Sequence, residues 1–420
     1  MEINALKKII LEQRQNFDDE KENLIERDIL KKVENYLKLP HALVISGIRR
    51  SGKSTLLKQI KKKFFSSSII YYFNFEDERL INFTIEDFDF LYQSFLEIYG
   101  QSKIFFFDEV QNIKGWELFV RRLYDKGFKF FITGSNSSLL SKELGSKLTG
   151  RYIPIELYPF SFKEFLKIRK FEIKEIYTTE ELSKIRNYFY EYLDKGGFPE
   201  AILFNNLEVL NILYDNIIYK DILVRYGLND EKSLKELSFY AYSNHSKEIS
   251  FNNLKKILNL GSPNTVKNYL NYLEKSYLIF LVNKYSNSLK EQIYSNKKIY
   301  VIDSGLIKKI SFKISSDIGR LLENLVFLEL KRNNLENYYF KGRNECDFII
   351  PKEKFVIQVT KEINEENKDR EIKGIIEAIE TLKYNKALII TENQDSFIKI
   401  NNKKILVKPI WKFLTSFSIK

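Results

Sequence analysis

The sequence predicts an α/β chain of several domains: a phosphate-loop domain built on a parallel sheet, a helical and winged-helix region, and a C-terminal α/β domain. Three observations carry that expectation. Gly47 to Ser54 (GIRRSGKS) fits G-x-x-x-x-G-K-[ST] at every fixed position, between an apolar run and a helix-period pattern. Strand-like runs recur after it, separated by helical text. From Phe251 the rhythm changes to two short helices followed by two strand-like runs.

Composition bounds the answer. A chain of 420 residues is long enough for two or three domains, and 44% apolar with 30% charged residues describes a soluble globular class. No window approaches the roughly 18 uninterrupted apolar residues of a membrane span. The opening segment, MEINALKKIILEQRQNFDDE, carries acids and lacks a signal peptide's apolar core, so the cytoplasm is the expected address. Cys346 is the single cysteine, which excludes an internal disulfide, and with only 2 histidines beside it a structural zinc site is disfavoured. The net charge of +12 fits an anionic partner such as nucleic acid, and equally a general Lys-, Ile- and Asn-rich drift. Its distribution is more informative: Phe251 to Asp303 holds 8 Lys against 3 acids (Glu274, Glu291, Asp303), a local net of +5.

In chain order, residues 1–36 read as a helical preface. Leu6, Ile9 and Ile10, then Ile25, Ile29, Leu30 and Val33, recur at helical spacing. It is expected to pack beside the first strand, with a partner-binding helix as the alternative. Residues 37–166 form the phosphate-loop core. Ala42–Ser46 is the strand, and Gly47, Ile48, Arg49, Arg50, Ser51, Gly52, Lys53, Ser54 and Thr55 form the loop and helix start. Gly47 and Gly52 let backbone N–H groups turn inward beside a helix N-terminus, which suits phosphate. Lys53 is expected on the β/γ-phosphates and Ser54 on Mg²⁺. Ile104–Phe107 is a buried strand ending in Asp108-Glu109, the Walker B pattern. Asp108 is expected to hold Mg²⁺ through water and Glu109 to activate the attacking water. Lys129–Thr133 is the next strand. Ser135 and Asn136 after it are candidate γ-phosphate sensors, with simple turn chemistry as the alternative. Arg151 is a candidate for stabilising charge on the transferred phosphoryl group, in cis or across a subunit boundary; a structural arginine is the other reading.

Four runs together, GIRRSGKSTLL, DEVQNIKGWELFVRRLYDKG, FFITGSNSSLL and LTGRYIPIELYPFSFKEF, resemble the AAA+-superfamily ATPases of archaea and bacteria that carry a second, C-terminal region. YLDKGGFPEAI, LYDNIIYKDIL, IYVIDSGLI and GRLLENLVFLEL extend the likeness over nearly the whole chain, and the pair Arg49-Arg50 is among its distinctive marks. The resemblance implies an AAA-type ATPase core using ATP and Mg²⁺, a helical and winged-helix middle, and a nuclease-like end. The corresponding domains are a helical lid or linker at 167–246, a winged helix at 247–312 and a nuclease-like domain at 313–420.

In the middle region Ser262 suits a helix cap and Pro263 a first helical turn. Asn264, Lys267, Asn268 and Asn271 fall on the outer face of that second helix, and Lys290, Lys297 and Lys298 fall on the wing. Double-stranded DNA is the expected partner, although winged helices also serve protein contact alone, and a homo-oligomer or a partner protein stays open. The last segment reads as helix, strands (Tyr338–Phe340, Cys346–Ile350, Lys354–Thr360), helix, strand, and resembles the PD-(D/E)XK nuclease core. Glu323 and Asp347 match its first two acidic positions. The third position reads Gln358-Val359-Thr360, an amide and a threonine where that core has E-x-K. Lys361 falls one place late and, by strand alternation, on the opposite face. The expected function is a Mg²⁺-dependent ATPase that couples nucleotide state to DNA. A nucleotide-dependent protein switch or scaffold and an ATP-regulated nuclease are the alternatives.

Overall fold

A computed structural model describes residues 2–19, 24–137, 147–311, 317–400 and 403–417, and the elements named below are those found among them. The predicted boundary at 312/313 lies outside the described residues. The chain forms two compact units, Met1–Tyr158 and Pro159–Lys420.

The first unit is a five-stranded parallel sheet in the order β2-β3-β4-β1-β5. Its strands are β1 Ala42–Ser46, β2 Tyr71–Asn74, β3 Ile104–Asp108, β4 Lys129–Gly134 and β5 Tyr152–Glu156. Helices α1 Ile3–Asp18, α2 Leu30–Leu37, α3 Lys53–Phe64, α4 Asp87–Tyr99 and α5 Trp116–Tyr124 cover it. A sheet covered on both faces needs strands that are apolar on both faces, which is what IFFFD and KFFITG supply. Phe105 stacks on Phe130 at 5.0 Å and Phe106 on Phe131 at 4.6 Å. The two pairs belong to the cores on opposite faces. The predicted helical preface divides in two. Leu30 and Val33 of α2 pack with Leu43 and Ile45 of β1, as expected. Helix α1 instead lies along the edge strand β2: Gln13 accepts from Asn74 N–H (2.8 Å) and donates to Asn74 O (3.0 Å). An open strand edge presents unpaired backbone groups, and the Gln13 amide satisfies both of them at this residue.

The second unit begins with α6 Phe162–Ile168 and α7 Thr179–Lys195, each opened by a reciprocal capping box (Ser161 with Glu164, Thr178 with Glu181). Then come α8 Pro199–Leu203, α9 Glu208–Asn216, a π-helical stretch Ile217–Val224 and α10 Glu231–Ser243. Gly196-Gly197 ends α7 because nothing larger fits: a Cβ on Gly197 would stand 2.3 Å from Phe160 O. The Gly197 N–H donates to Asp303 Oδ2 at 2.6 Å, and the other Asp303 oxygen caps the helix Ser304–Ile310 that follows it. Burial raises the Asp303 carboxyl to about 6, against the pull of those N–H donors. Two segments far apart in sequence, DKGGFP and VIDSG, are thus one joint.

Strands β6 Lys247–Ile249, β7 Ile279–Asn283 and β8 Lys297–Val301 form an antiparallel sheet in the order β6-β8-β7. Between them lie α11 Phe251–Ile257, α12 Pro263–Lys275 and α13 Leu289–Tyr294. Strand β6 is not apparent in the sequence, and the polar stretch joining the last two strands is partly helical. After α14 Ser304–Ile310 and α15 Ile318–Arg332 comes a six-stranded mixed sheet in the order β13-β14-β12-β11-β10-β9. Its members are β9 Tyr338–Lys341, β10 Glu345–Ile350, β11 Phe355–Val359, β12 Lys386–Thr391, β13 Ser396–Ile400 and β14 Lys403–Pro409, with α16 Lys368–Leu382 after β11 and α17 Ile410–Ser416 at the end. The chain is therefore α/β, with a parallel-sheet unit followed by a helical region and a mixed-sheet α/β region.

Candidate functional site

The loop after β1 turns at three unusual points. A Cβ on Gly47 would stand 2.1 Å from Leu157 O, so only glycine lets the chain leave β1 here. Arg50 and Gly52 have φ of 65° and 93°, the left-handed region, which turns successive peptide planes over before α3 begins. Arg27 braces the loop, donating to Ser51 O (2.8 Å) and Tyr158 O (2.6 Å). The Ser51 hydroxyl is buried inside the loop without a hydrogen-bond partner. Lys53 is 4% exposed, with its ammonium 3.2 Å from Gly47 O, 3.3 Å from Ile48 O and 3.3 Å from Glu109 Oε1. Arg49 pairs with Glu76 at 2.7 Å, Arg50 stands exposed on the loop, and Thr55 is half-buried in the first turn of α3.

Asp108 and Glu109 end β3 beside this loop. The buried Asp108 carboxylate accepts from the Thr133 hydroxyl on β4 and is bonded to the Ser54 hydroxyl. Burial and the neighbouring Glu109 push the Asp108 carboxyl up, and the two hydroxyls oppose that shift. Glu109 has a left-handed backbone (φ 51°), and its N–H donates to Thr133 Oγ1 at 3.1 Å. Burial works against its charge, but Lys53 and the Gln111 amide outweigh burial and hold the carboxyl below its ordinary range. Gln111 donates to Glu109 Oε2 at 2.5 Å and to Ser135 Oγ at 3.4 Å, which ties Ser135 to the cluster. Asn136 is buried next to it, its carbonyl accepting from the Ser46 hydroxyl at 2.8 Å. Sequence reading passes over Thr133, Gln111 and Arg27. Their positions follow from β4 lying between β1 and β3, and from chain folding back under the loop.

Arg151 lies away from the loop. It immediately precedes β5, which runs parallel to β1 with Tyr152 opposite Ala42. The phosphate loop follows the other end of β1, some four residues and so about 13 Å further along. Arg151 pairs with Asp125 at 2.8 Å and lies over the Tyr124 ring. This position speaks for the structural reading over a role in cis on the phosphoryl group.

An AAA domain profile matches residues 40–166, and that of a domain of unknown function (DUF8612) matches residues 186–317. The uncharacterized protein MJ1544 of Methanocaldococcus jannaschii is 42% identical over 421 residues, covering 94% of this chain and 92% of that protein. This chain belongs to the family of MJ1544. An uncharacterized protein of Haemophilus influenzae is 32% identical over 363 residues, covering 82% and 87% of the two chains. Among solved structures, the Thermotoga maritima RuvB Holliday junction branch migration motor is 15% identical, covering 60% of this chain and 88% of that one at a TM-score of 0.30. The AAA domain makes this family member a P-loop nucleotide-binding protein and implies ATP, typically with Mg²⁺. Among the described residues no helix is long and apolar enough to cross a membrane.

The remaining predicted residues of this MJ1544 relative fall into two places. Asn264, Lys267, Asn268 and Asn271 are all exposed on one side of α12, while Val266, Leu270 and Leu273 face inward. Lys290 is exposed on α13. Lys297 is half-buried, with its ammonium held down by burial and by the nearby Lys267 charge, so those two lysines share a patch. Lys298 is a correction. It is 2% exposed and turned inward, with its ammonium 2.9 Å from Glu323 Oε1, 2.9 Å from Asp347 Oδ1 and 2.7 Å from Glu345 Oε1. It is not part of any outer surface.

Glu323, Asp347 and Gln358 do come together, lining a cleft of about 800 Å³ with Glu371 and Arg370 of α16. Gln358 bridges within the cleft: it accepts from Asp347 N–H (3.2 Å) and donates to Glu371 Oε2 (2.8 Å). Lys361, expected to point away, is exposed and is among the residues that border this cleft. Strand β11 ends at Val359, so alternation no longer governs residue 361.

Proposed function

We propose that the chain is a Mg²⁺-dependent ATPase whose nucleotide state governs engagement of double-stranded DNA through a winged helix. The observation that carries the ATPase reading is the convergence of Lys53, Ser54, Asp108 and Glu109 at one end of the parallel sheet, cross-linked by Thr133. The residues fit a nucleotide. The loop has a glycine, Gly47, where a Cβ would collide, and another, Gly52, in the left-handed region; it has a buried Ser51 hydroxyl without a partner, and a serine and an aspartate joined where Mg²⁺ would be held. Bound there, Mg²⁺ supplies charge neutralisation on the phosphates. Lys53 binds the β/γ-phosphates, and Glu109, kept ionised by Lys53, takes a proton from the attacking water. Gln111, itself bonded to Ser135, orients that carboxylate. The test is ATP turnover by the purified chain with and without Mg²⁺, where turnover that survives chelation speaks against the reading.

The DNA reading is supported by the element order α10-β6-α11-α12-β7-α13-β8, by the exposed polar face of α12 and by the Lys267–Lys297 patch. We assign a helical preface to 1–36, the ATPase core to 37–166, a helical linker to 167–246, the winged helix to 247–312 and a nuclease-like domain to 313–420. In that last domain Gln358 and Thr360 stand where a carboxylate and an ammonium are needed, which speaks for a fold that no longer cleaves. A second reading, a nucleotide-dependent protein switch, is favoured by one observation. Leu289, Ile293 and Tyr294 on α13 are 71%, 60% and 80% exposed, an apolar tip that suits protein better than phosphate. Mobility shift of duplex DNA at two salt concentrations, with and without ATP, separates the two.

A further inference from the structure

The cleft of the mixed sheet buries two carboxyl groups close together, Glu323 and Asp347; burial pushes both up, and Glu323, with Asp347 beside it, rises to about 8. Glu323 from α15 and Asp347 from β10 are buried on its floor, and Glu345 and Glu371 stand beside them. Buried carboxylates this close repel one another and call for a cation. The cation comes from outside the cleft. Lys298 belongs to β8 of the three-stranded sheet, 25 residues before Glu323 and 49 before Asp347. The two sheets abut where Tyr285 N–H donates to Tyr339 O at 2.7 Å, which lets the lysine cross.

The bonding around Lys298 is complete. An ammonium has three N–H bonds, and three carboxylates, Glu323, Glu345 and Asp347, receive them. The inward oxygens have further donors: Tyr300 O–H on Glu323 Oε1 (2.6 Å) and Val359 N–H on Asp347 Oδ2 (2.9 Å). Gln358 is committed between Asp347 N–H and Glu371, and Glu371 also takes Arg370. A divalent ion such as Mg²⁺ requires several oxygens at about 2.1 Å directed at one point. Here that point is taken by a nitrogen at hydrogen-bond distance from the same oxygens.

We propose that Lys298 is a built-in cation, occupying the position between Glu323 and Asp347 that a divalent metal would need, so that the cleft takes up no divalent ion until this lysine is removed. The inference rests on the bonded cluster and not on the nuclease-like assignment. It holds equally for a cleft of any other ancestry. It also makes β8 a strut: the three-stranded sheet and the mixed sheet share one buried charge cluster and stay in register through it.

The experiment is Mn²⁺ binding, counted by electron paramagnetic resonance on the full chain without nucleotide. The proteins are the wild type, Asp347→Asn, Lys298→Met and the double variant Lys298→Met/Asp347→Asn. Wild type and Asp347→Asn should bind Mn²⁺ alike, because Asp347 is already occupied. Lys298→Met should gain about one ion, at least about tenfold tighter than any wild-type site, since three carboxylates are left facing one point. The double variant should lose that gain. A wild-type site that Asp347→Asn abolishes would overturn the proposal, and would recast Lys298 as a lysine working beside a metal. A folded Lys298→Met protein that gains no ion would also overturn it. The comparison of wild type with Asp347→Asn decides the matter even where Lys298→Met does not fold. Duplex cleavage by the wild type bears on the nuclease-like reading alone, unless it too depends on Asp347.

Discussion

Replacing Thr133 by Val changes little in volume and removes one hydroxyl that serves two masters. The hydroxyl hydrogen goes to Asp108 Oδ1, and its oxygen accepts the Glu109 N–H at 3.1 Å. The residue is wholly buried, so water cannot readily replace either bond. A hydrogen bond to an ionised carboxylate is worth about 1.5–3 kcal/mol, and a buried N–H left unpaired costs about 1–3 kcal/mol. Thr133→Val should therefore cost the first unit about 3–5 kcal/mol, a fall in melting temperature of order 10 °C for a unit this size. The deficit should depend on pH with a definite sign. The folded-state Asp108 carboxyl already titrates above its ordinary value because of burial and Glu109, and Thr133 opposes that shift. Without Thr133 it rises further, so stability present at acid pH is lost as pH rises through the folded value, and the deficit shrinks as pH falls. Glu109 loses the tie that fixes its left-handed backbone, and turnover should drop by about two orders of magnitude even where nucleotide still binds. Thermal unfolding, binding of a fluorescent ATP analogue and phosphate release test all three effects. Thr133→Ser keeps the hydroxyl and loses only a methyl, about 1 kcal/mol. Wild-type melting and turnover in Thr133→Val, or equal damage in Thr133→Ser, would refute the reasoning.

Lys53→Ala should weaken nucleotide binding. Glu109→Gln should keep binding while slowing turnover by about two or more orders of magnitude, measured as a burst against steady state, because the phosphate cradle survives and the base does not. Gly47→Ala puts a Cβ 2.1 Å from Leu157 O, so the loop must shift by more than about 1 Å to reach van der Waals distance. Nucleotide affinity should collapse while the far-ultraviolet circular dichroism changes little, and an Ala variant that binds normally would show the loop to be less constrained. Changing Lys267, Lys290 and Lys297 together to Ala should flatten the slope of log K for duplex DNA against log salt by about 2–3 units. An unchanged slope moves the contact off α12 and the wing. Arg151→Ala should leave ATP turnover close to wild type and lower stability by no more than about 1 kcal/mol, as expected of an exposed pair with Asp125. A large loss of turnover in subunit-mixing assays would restore a role in trans.

The parts legible in the sequence are those whose meaning is local. Gly47, Gly52, Lys53 and Ser54 lie within one turn of loop and helix, and Asp108-Glu109 ends a strand that must be buried because IFFF is apolar on both faces. Thr133 and Gln111 gain their positions from the strand order, in which β4 separates β1 from β3, and that order is set by packing over more than 80 residues of chain. Arg27 is similar: nothing in its neighbourhood announces a brace, since both of its carbonyl partners lie far along the chain. Arg151 and Lys298 differ from these, because strand geometry alone argues against a role in cis for the first and an outer-surface place for the second. A residue that opens a strand parallel to β1 stands at the end of the sheet opposite the loop that closes β1, so Arg151 cannot lie by that loop. Adjacent residues of a strand point to opposite faces, so Lys297 and Lys298 cannot both lie on an outer surface. One of the two had to turn inward, and an ammonium buried in a core persists only with carboxylates around it. Glu323, Glu345 and Asp347 are those carboxylates, and sequence reading had already set two of them, Glu323 and Asp347, side by side.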